Sequence, residues 1–571
     1  SIYYRDYRFL FYMKYFLNIS ILFLSISLFS YDRIIGSDFV SRSEIISTNG
    51  MAATSHPLAT QTAIEVLQRG GNAVDAAIAA NAVLGLMEPT GCGIGGDLFA
   101  IVWSADDKKL FGLNSSGPAP NNISIEKVLA KNLKKIPPYG PLPVTVPGAV
   151  AGWKELHDKF GNLPFKNLFQ EAIKYSENGF PVTEVVAYYL DLSAQRFNSY
   201  PNFKEVWMPT GETPKKGDIF KNPQLASTYK KIANSGGKDF YDGEIAEEIV
   251  RFINEQGGYF SIDDLKNYKP EWVDPVSTNY RGYDIWELPP NGQGIAALQM
   301  LNMLENYDIQ KLGFGSAEYI HLFTEVKKVV YEDRAKYYAD QKFSNVPVGE
   351  LISKEYASSR MNLIDLKKAS RSFNPGNLED GDTIYLTVSD KHGNMVSLIQ
   401  SNYRGMGSGM VPKNLGFMLQ DRGEMFSLDK SHKNSLVGGK RPFHTIIPAF
   451  ITKDNKPYIS FGLMGGAMQP QGHAQIVINI VDFKMNLQEA GDAPRIRHVG
   501  SSQPTGEKML DGGYLSLENG ISEIEINKLK KLGHKFQYDL GGFGGYQAIM
   551  LKDGVYYGAS DSRKDGQASG Y

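Results

Sequence analysis

The strongest constraint on the fold is a change of sequence pattern at residue 383. Before it, most segments have the spacing of amphipathic or buried helices, as in the alanine-rich stretch 59–89. After it, short apolar runs separated by turn residues dominate, such as "TIYLTVSD", "MVSLIQS", "GFMLQD" and "KPYISFGL". One co-folded unit of this kind would place strands inside and helices outside, so we predict an α+β fold.

The change of pattern begins at a threonine that follows an acidic, glycine-containing loop, "LEDGD" at 378–382. Apolar residues then alternate along 384–389, so Thr383 opens a predicted strand. Because threonine is β-branched and common in strands, β-propensity is one sufficient explanation. The alternative is that the chain is cut before Thr383, which then becomes a new N-terminus and a nucleophile.

A terminal threonine permits chemistry that an internal one does not. Its hydroxyl stays protonated at neutral pH and needs an adjacent base. Cutting the Asp382–Thr383 bond would free an α-amino group with a reference pKa of about 7.7–8.0, which can be that base. The same hydroxyl can cut the bond by attacking the carbonyl of Asp382, giving an ester that water opens. A mobile loop before a strand suits this reaction.

Two glycine-rich segments are candidate site loops. "GCGIGGD" at 91–97 contains GxGxxG, but a predicted helix precedes it and a predicted strand follows it. A dinucleotide site needs the opposite order, so we reject that interpretation and keep a close-packing loop as the alternative. "MGGAMQPQGH" at 464–473 follows an apolar strand, and Gly465 and Gly466 could supply oxyanion-hole N–H groups. An ordinary strand–helix turn explains the same pattern.

Charge and cysteine content exclude several classes of function. The 60 basic and 62 acidic residues leave a formal charge of -2, so no basic field attracts nucleic acid. The single cysteine, Cys92, allows neither an intrachain disulfide nor a multi-cysteine zinc site. The sequence contains no recognisable metal cluster or phosphate loop, and we expect no metal and no cofactor.

The first 31 residues have the features of an export signal or an upstream extension. Basic residues precede the apolar run at 15–29, and Ser25 and Ser27 suit a cleavage site. Met13 is an alternative start. We expect export, to the periplasm, and no stable membrane span; an uncleaved segment would instead anchor the chain to the membrane.

Long stretches of the chain resemble the γ-glutamyltranspeptidase (glutathione hydrolase) family. From about residue 50 to the end, the similar motifs follow one another in order and without a large gap. They include "GGNAVDAAIAANAVLGLMEPTGCGIGGD", "VPGAVAGW", "YRGYDIWELPPNGQG", "DTIYLTVSDKHGNMVSLIQSNYRGMGSGMVPKNLGFMLQDRG", "GGKRPFHTIIP", "MGGAMQPQGH" and "YGASDSRKDGQASGY". Such a density of motifs is far more specific than any one of them.

The resemblance implies an N-terminal-nucleophile hydrolase with an αββα sandwich, made as one chain that cuts itself. By position, the cut falls between Asp382 and Thr383, giving a mostly helical large subunit (32–382) and a β-rich catalytic small subunit (383–571) that stay associated as a heterodimer. It also implies that Thr383 is nucleophile and base, that Gly465 and Gly466 form the oxyanion hole, and that Ser401 hydrogen-bonds the nucleophile. Ser401 stands where the family has a second threonine.

The positions that bind substrate in the family depart from its pattern. The stretch 113–122 lacks the family's carboxylate-binding arginine, Met425 stands where an acidic residue would meet an α-amino group, and His444–Thr445 replace paired serines. Arg422 could pair with a substrate carboxylate through its planar fork, or form a structural salt bridge. His444 could bind substrate or fill a polar core position.

The substrate-binding residues that we expect from the resemblance are Arg422, His444, Thr445, Asn402 and Tyr403. Because an unpaired buried substrate charge costs several kcal/mol, the missing groups are enough to change the preferred substrate.

Three functions fit this pattern. The first is a self-processing γ-glutamyltransferase or glutathione hydrolase that passes an acyl group from threonine to water or an amine. The second is an amidohydrolase or acylase of the same fold for another small carboxylate-bearing amide, resembling oxamate amidohydrolases and β-lactam acylases. The third is an unprocessed secreted binding protein in which Thr383 only opens a strand.

Overall fold

Two seven-stranded antiparallel sheets form the centre of the molecule. The computed structural model describes residues 33–371 and 383–571, and residues 43–571 belong to one unit, separate from the N-terminal unit that includes 33–42. In chain order the strands are β1 Ile45–Ser47, β2 Met51–Thr54, β3 Asp97–Ser104, β4 Lys109–Ser115, β5 Phe180–Pro181, β6 Ile219–Phe220, β7 Glu271–Val273, β8 Val276–Tyr280, β9 Tyr283–Glu287, β10 Ile384–Ser389, β11 Met395–Ser401, β12 Ala449–Lys453, β13 Lys456–Leu463, β14 Ile496–Val499, β15 Tyr514–Leu517, β16 Tyr546–Lys552, β17 Val555–Ser560 and β18 Gln567–Gly570.

Helices cover the outer faces of both sheets. The α-helices are α1 Pro57–Gln68, α2 Ala73–Met87, α3 Ile125–Leu129, α4 Ala149–Phe160, α5 Gln170–Asn178, α6 Glu184–Phe197, α7 Phe203–Trp207, α8 Pro223–Ser235, α9 Lys238–Tyr241, α10 Glu244–Glu255, α11 Ile262–Lys266, α12 Gly294–Leu304, α13 Ile309–Leu312, α14 Ala317–Tyr337, α15 Val348–Leu351, α16 Lys354–Met361, α17 Gln469–Val481, α18 Leu487–Asp492 and α19 Glu523–Leu532. Short 3₁₀ helices span Phe165–Phe169, Arg422–Met425 and Gly466–Met468.

The two sheets pack face to face, and each packs against helices on its other side. One sheet has the order β1-β17-β16-β13-β12-β9-β8 and the other β18-β2-β10-β11-β3-β4-β7. Aromatic and aliphatic side chains from both, including Phe99, Tyr385, Phe450 and Ile549, form the core between them. Two larger cores join each sheet to its own helices. The expected α+β class and αββα sandwich are confirmed.

The predicted helix pair in the alanine-rich stretch is present, as α1 and α2. Pro57 starts α1, where its missing N–H costs no hydrogen bond. Asn72 caps α2 through a reciprocal capping box with Asp75. Nearly all of α2 is buried, because its small alanines let it pack closely between β10, β11 and other helices.

Both sheets combine strands from the two sides of Thr383. β10 pairs with β11 on one side and with β2 on the other, and β11 also pairs with β3. In the other sheet, β12 pairs with β9. A chain cut before Thr383 would therefore remain joined by backbone ladders and shared cores.

One predicted strand is wrong. Residues 416–421, "GFMLQD", form no strand. Leu419 and Gln420 instead donate backbone hydrogen bonds to the carbonyls of Met410 and Gly95, at 2.9 and 3.0 Å. A short apolar run that crosses a buried loop has the same hydrophobicity as a buried strand, so the pattern does not separate the two. Two further helices after Thr383, α18 and α19, were also not predicted.

The predicted export segment, 1–31, lies outside the described residues. Within 33–371 and 383–571, no helix has both the length and the apolar character that a membrane crossing requires.

Candidate active site

Thr383 and Ser401 meet at one end of two neighbouring strands. Thr383 directly precedes β10 and Ser401 ends β11, and antiparallel pairing sets Ile384 opposite Gln400. The Thr383 hydroxyl donates to Ser401 Oγ at 3.0 Å, and the Tyr403 N–H donates to the same oxygen at 2.8 Å. Both side chains are buried. The nucleophile candidate is therefore oriented by a hydroxyl that is itself fixed by the backbone.

The glycine-rich loop 91–96 packs directly on this pair. A methyl group at Gly91 would lie 3.1 Å from the carbonyl oxygen of Thr383, and one at Gly96 only 2.2 Å from that of Ser401. Asn402 secures the loop, because its N–H and its amide Nδ2 donate to the carbonyls of Gly91 and Cys92. The loop follows α2 and leads into β3, so its glycines permit close packing rather than dinucleotide binding.

Gly465 and Gly466 form a turn between β13 and the helix α17. Both have positive φ, at 122° and 55°, which glycine adopts without strain. Among the described residues neither N–H donates to a protein acceptor, so both remain available to a ligand oxygen. Gln293 holds the turn, because its Nε2 donates to the carbonyls of Gly466 and Thr445, at 2.9 and 2.7 Å.

Arg422 is a fully buried cation with spare hydrogen-bonding capacity. Its Nη1 donates to Thr445 Oγ1 at 2.6 Å, and its guanidinium carbon lies 4.5 Å from the centre of the Tyr403 ring. Nε and Nη2 have no acceptor in the described structure. Burial lowers the pKa of Arg422 to about 10, against the opposing attraction of Asp97. The Asp97 carboxylate attracts Arg422 but hydrogen-bonds to His444, so whether Arg422 binds a substrate carboxylate or serves a structural ion pair stays a prediction.

His444 faces a buried carboxylate. Its Nε2 lies 2.8 Å from Asp97 Oδ2, and its Nδ1 accepts a long bond, 3.4 Å, from the Ile446 N–H. Burial and then the charge of Arg422 hold the pKa of His444 well below its usual value, so the ring is neutral. Burial also raises the pKa of Asp97 to about 7. Both ring nitrogens bond to protein groups, and the substrate contact of His444 stays a prediction.

Tyr403 joins the nucleophile end of the site to a cleft beside the glycine turn. Its φ of 77° is a left-handed conformation that is rare for a bulky residue, and strain of this kind concentrates at functional sites. The Arg422 guanidinium lies over the Tyr403 ring, and Tyr403 lines a cleft together with Gly466. The structure brings the predicted site residues into one connected region: Thr383, Ser401, Asn402, Tyr403, Arg422, Thr445, Gly465 and Gly466. His444 joins it through Asp97, which pairs with Ser401 across β3 and β11.

The acidic side chains near Met425 are engaged with protein groups. Met425 is buried and apolar. Both carboxylate oxygens of its neighbour Glu424 accept from Arg404 Nη2 at 2.8 Å, and Asp421 lies 3.5 Å from Arg404 Nε. An α-amino group of a substrate would therefore have to compete with Arg404 for Glu424, whereas Asp421 Oδ2 accepts no hydrogen bond from a described residue. Asp382, on the other side of the predicted cut, lies outside the described residues.

The sequence did not single out Gln293 or Arg334. Gln293 lies in the quoted "YRGYDIWELPPNGQG" motif, but its role depends on contacts with residues more than 150 positions away. Arg334 Nη1 donates to Gln293 Oε1 at 2.7 Å, which orients the amide that holds Gly466. The helical spacing of α14 offered the only signal, a charged side chain on a buried face.

One cluster, separate from these residues, has metal-ligand atoms. His321, Glu325 and His534 each offer an atom within 4.8 Å of the others. However, His321 Nδ1 lies 2.7 Å from His534 Nε2, and Glu325 pairs with Lys328 at 2.7 Å and accepts from the Ser370 N–H. The potential ligands thus already satisfy one another as a buried hydrogen-bond cluster.

Comparison with known proteins identifies the family. The family described as Gamma-glutamyltranspeptidase matches residues 59–571. The glutathione hydrolase-like YwrD proenzyme of Bacillus subtilis (strain 168) is 35% identical, over 92% of this chain and 99% of its own length. The glutathione hydrolase proenzyme of Escherichia coli (strain K12) is 33% identical, over 91% and 92%.

A solved structure extends the similarity to the whole fold. The cephalosporin acylase from Bacillus halodurans is 40% identical and superposes with a TM-score of 0.86, covering 95% of this chain and 99% of that one. The sequence matches and the superposition together show that the chain belongs to the γ-glutamyltranspeptidase family.

Proposed function

We propose that this protein is a self-processing amidohydrolase that uses Thr383 as a terminal nucleophile on small amides with a carboxylate. The observation that carries the proposal is the hydrogen bond from Thr383 Oγ1 to Ser401 Oγ at the open end of the β10–β11 ladder. Membership of a family whose relatives are named proenzymes supports it.

Processing would begin with attack of Thr383 Oγ1 on the carbonyl carbon of Asp382. The new C–O bond replaces the peptide C–N bond, and the hydroxyl proton passes to the nitrogen. Water then opens the ester, leaving the Asp382 carboxylate and the free amine and hydroxyl of Thr383. The products would be 32–382, after loss of 1–31, and 383–571, held as a heterodimer by the shared sheets.

Turnover would repeat this chemistry on a substrate amide. The Thr383 amine takes the proton as Oγ1 attacks the carbonyl carbon, and it delivers that proton to the leaving amine as the C–N bond breaks. The N–H groups of Gly465 and Gly466 would hold the oxyanion. Water, or a second amine, then releases the acyl group and restores the hydroxyl.

Arg422 is the group in this region that best suits a carboxylate of the acyl donor. Its guanidinium is buried and has two nitrogens without an acceptor, so binding an anion would satisfy donors that the free protein leaves unpaired. γ-Glutamyl compounds such as glutathione are the first candidates, with hydrolysis or transfer to an amine as the two fates of the acyl-enzyme.

A second candidate is an acylase for amides without an α-amino group. Two observations favour it: Met425 is buried and apolar, and both carboxylate oxygens of Glu424 are engaged by Arg404. The 40% identical cephalosporin acylase is consistent with such a substrate class. For either candidate we propose export, through the segment 1–31, to the periplasm.

The test is a mass measurement of the acyl-enzyme. The purified protein is mixed with γ-glutamyl-p-nitroanilide or glutaryl-p-nitroanilide, quenched in acid and analysed by intact mass spectrometry. We expect the fragment beginning at Thr383 to gain the mass of one acyl group, located by peptide mapping to Thr383. A mass increase seen only with the γ-glutamyl compound supports the first candidate. A mass increase seen only with the glutaryl compound supports the second. Turnover of either compound with the acyl group on another residue would refute the proposal.

A further inference from the structure

Asp97 is a buried carboxylate beside the nucleophile strands. It starts β3 and pairs with Ser401 across β3 and β11. Its Oδ1 accepts the N–H groups of Gly117 and Gly148, each at 3.2 Å, and its Oδ2 lies 2.8 Å from His444 Nε2. The side chain is fully buried. These three partners are neutral groups, so none of them cancels the charge of the carboxylate.

The bond between His444 and Asp97 has a defined direction. The Ile446 N–H donates to His444 Nδ1 at 3.4 Å, so the ring proton lies on Nε2 and is donated to Asp97. Burial, and then the charge of Arg422, hold the pKa of His444 well below its usual value, so the ring stays neutral. Asp97 is therefore the acceptor in this pair, a role that an ionised carboxylate fills.

Arg422 and Asp97 attract each other across the segment that carries His444. The next residue, Thr445, accepts from Arg422 Nη1 at 2.6 Å, so both charges are bonded to this segment. Of the charges that act on Arg422, that of Asp97 attracts it most, and Arg422 is the cation that most stabilises the Asp97 carboxylate. Arg422 Nε and Nη2 nevertheless have no acceptor in the described structure. The arginine thus keeps donors for a ligand while its charge is already partly balanced.

The charge of Asp97 changes near neutral pH. Burial raises the pKa of Asp97 to about 7, against the opposing attraction of Arg422. Burial lowers the pKa of Arg422 only to about 10, so the guanidinium stays charged. As pH falls through about 7, Asp97 gains a proton, and the net charge of the two side chains changes from zero to positive.

The other titratable groups that act on Asp97 keep one charge state from about pH 6 to 8.5. His444 stays neutral, and Arg441, which also attracts Asp97, stays protonated. Burial raises the pKa of Tyr268 to about 12 and that of Tyr241 well above its usual value, so neither phenol ionises. Within this cluster, a change in that pH range therefore reports on Asp97.

We infer that Asp97 is a specificity-determining residue: its carboxylate, bonded to His444 and to two glycine N–H groups, opposes the binding of a substrate carboxylate to Arg422. The inference rests on the proposed amidase function and deepens it, because it assigns the group that sets how strongly acyl donors with a carboxylate are preferred. The substrate carboxylate and Asp97 share one cation, so binding of the first favours protonation of the second. The preference for a carboxylate should therefore be stronger at acidic pH.

Asp97→Asn removes the charge and keeps the shape of the side chain. The asparagine Oδ1 can still accept from Gly117 and Gly148, and its Nδ2 can donate to His444 Nε2 once the ring proton moves to Nδ1. The bond that this change gives up is the long one from the Ile446 N–H.

Asp75→Asn is the matched control. Asp75 is also a fully buried carboxylate, and it accepts the N–H groups of Asn72, Asn162 and Leu163 at the start of α2. The glycine-rich loop 91–96 follows the opposite end of this 15-residue helix, so Asp75 is remote from the candidate active site. Its loss should lower Tm without changing substrate preference.

The first experiment follows substrate preference with pH on the processed enzyme. The kcat/KM for glutaryl-p-nitroanilide is divided by that for valeryl-p-nitroanilide, so titration of the Thr383 amine, which affects both, cancels. We expect the wild-type ratio to rise about fivefold to tenfold, mainly through KM, as pH falls from about 8.5 to 6, the effect of a coupling of about one pKa unit. In Asp97→Asn the ratio should stay high at every pH, and Asp75→Asn should follow wild type.

Three results would overturn the inference. They are a wild-type ratio that does not change with pH, a ratio that changes equally in Asp97→Asn, and a ratio in Asp97→Asn that is lower than in wild type at alkaline pH. The last would indicate that Asp97 only supports the fold of the site.

A binding measurement keeps the inference testable without turnover. Glutarate is titrated calorimetrically at about pH 7 in two buffers of different ionisation enthalpy, which reports the protons taken up on binding. We expect wild type and Asp75→Asn to take up part of a proton, and Asp97→Asn to bind glutarate more tightly with less uptake. Equal uptake in all three proteins, or no binding of glutarate, would refute the inference even if Thr383 proves to be the nucleophile. Uptake that depends on Asp97 in an unprocessed, inactive protein would support it while the proposed function fails.

Discussion

The Thr383 hydroxyl donates a hydrogen bond to Ser401 Oγ across 3.0 Å, with both residues at the same end of neighbouring strands. Ser401 Oγ also accepts the Tyr403 N–H, so it is fixed independently of the threonine. This pair sets the orientation in which Thr383 Oγ1 would attack a carbonyl carbon.

Removing the Ser401 hydroxyl should slow both processing and turnover. A hydrogen bond of this kind contributes about 1 kcal/mol, which corresponds to roughly a fivefold to tenfold change in rate. We expect Ser401→Ala to show this loss in the rate at which the 383–571 fragment forms on a denaturing gel, whereas Ser401→Thr keeps the rate near wild type. Unchanged processing in Ser401→Ala would remove Ser401 from the mechanism.

Gly96 should be intolerant of a side chain. A methyl group there would approach the Ser401 carbonyl oxygen to 2.2 Å, so the loop or the end of β11 would have to move. We expect Gly96→Ala to lower Tm and to slow processing. Gly349→Ala, at a position with no atom within 4 Å of the added methyl group, is the matched control and should change neither. Wild-type processing in Gly96→Ala would contradict the close packing of this loop on the nucleophile strands.

Arg422 should affect substrate binding more than the chemical step. Loss of a buried charge-assisted hydrogen bond costs about 1.5–3 kcal/mol, or roughly tenfold to a hundredfold in affinity. We expect Arg422→Met to raise KM for glutaryl-p-nitroanilide by that factor while KM for valeryl-p-nitroanilide changes little. Arg422→Lys, which keeps a charge without the planar fork, should raise KM for glutaryl-p-nitroanilide by a smaller factor than Arg422→Met does. A loss confined to kcat, equal for both substrates, would indicate that Arg422 only supports the site.

His56 should make the protein acid-sensitive. Its Nδ1 accepts the Leu58 N–H at the start of α1, and burial lowers the pKa of the ring to about 4. The unfolded chain, with a histidine pKa of about 6.5, binds the proton first as pH falls. The stabilisation is therefore complete above about pH 6.5 and is lost as pH falls toward 4.

The measurement is the free energy of unfolding from urea titrations between pH 7.5 and 4. His56→Asn keeps a side-chain cap but cannot titrate, and we expect it to reduce the pH dependence across this window. If the free energy of unfolding depends on pH equally in the variant and in wild type, other groups cause the acid sensitivity.

The order of helices and strands around Thr383 could be predicted from the sequence, because hydrophobic periodicity and glycine position are local signals. Thr383 and Ser401 also fall at predictable ends of neighbouring strands. The contact of His444 with Asp97 could not be predicted, since the two are 347 residues apart and each is only a buried polar residue in the sequence. Arg334 likewise has the sequence pattern of an ordinary helix charge, and only packing reveals that it orients the Gln293 amide. The apolar run 416–421 was misread as a strand because its hydrogen bonds go to loops.

The most direct test of the central claim is the covalent state of the purified protein. Wild type, Thr383→Ser and Thr383→Ala are purified in parallel and analysed by denaturing gel, intact mass and N-terminal sequencing, with circular dichroism to show that each is folded. We expect a fragment beginning Thr-Ile-Tyr-Leu from wild type and one intact chain from Thr383→Ala. Thr383→Ser, which keeps a hydroxyl, should be cut at the same bond. A folded wild type that remains a single chain would contradict self-processing at Thr383 and favour a protein in which this threonine only opens a strand.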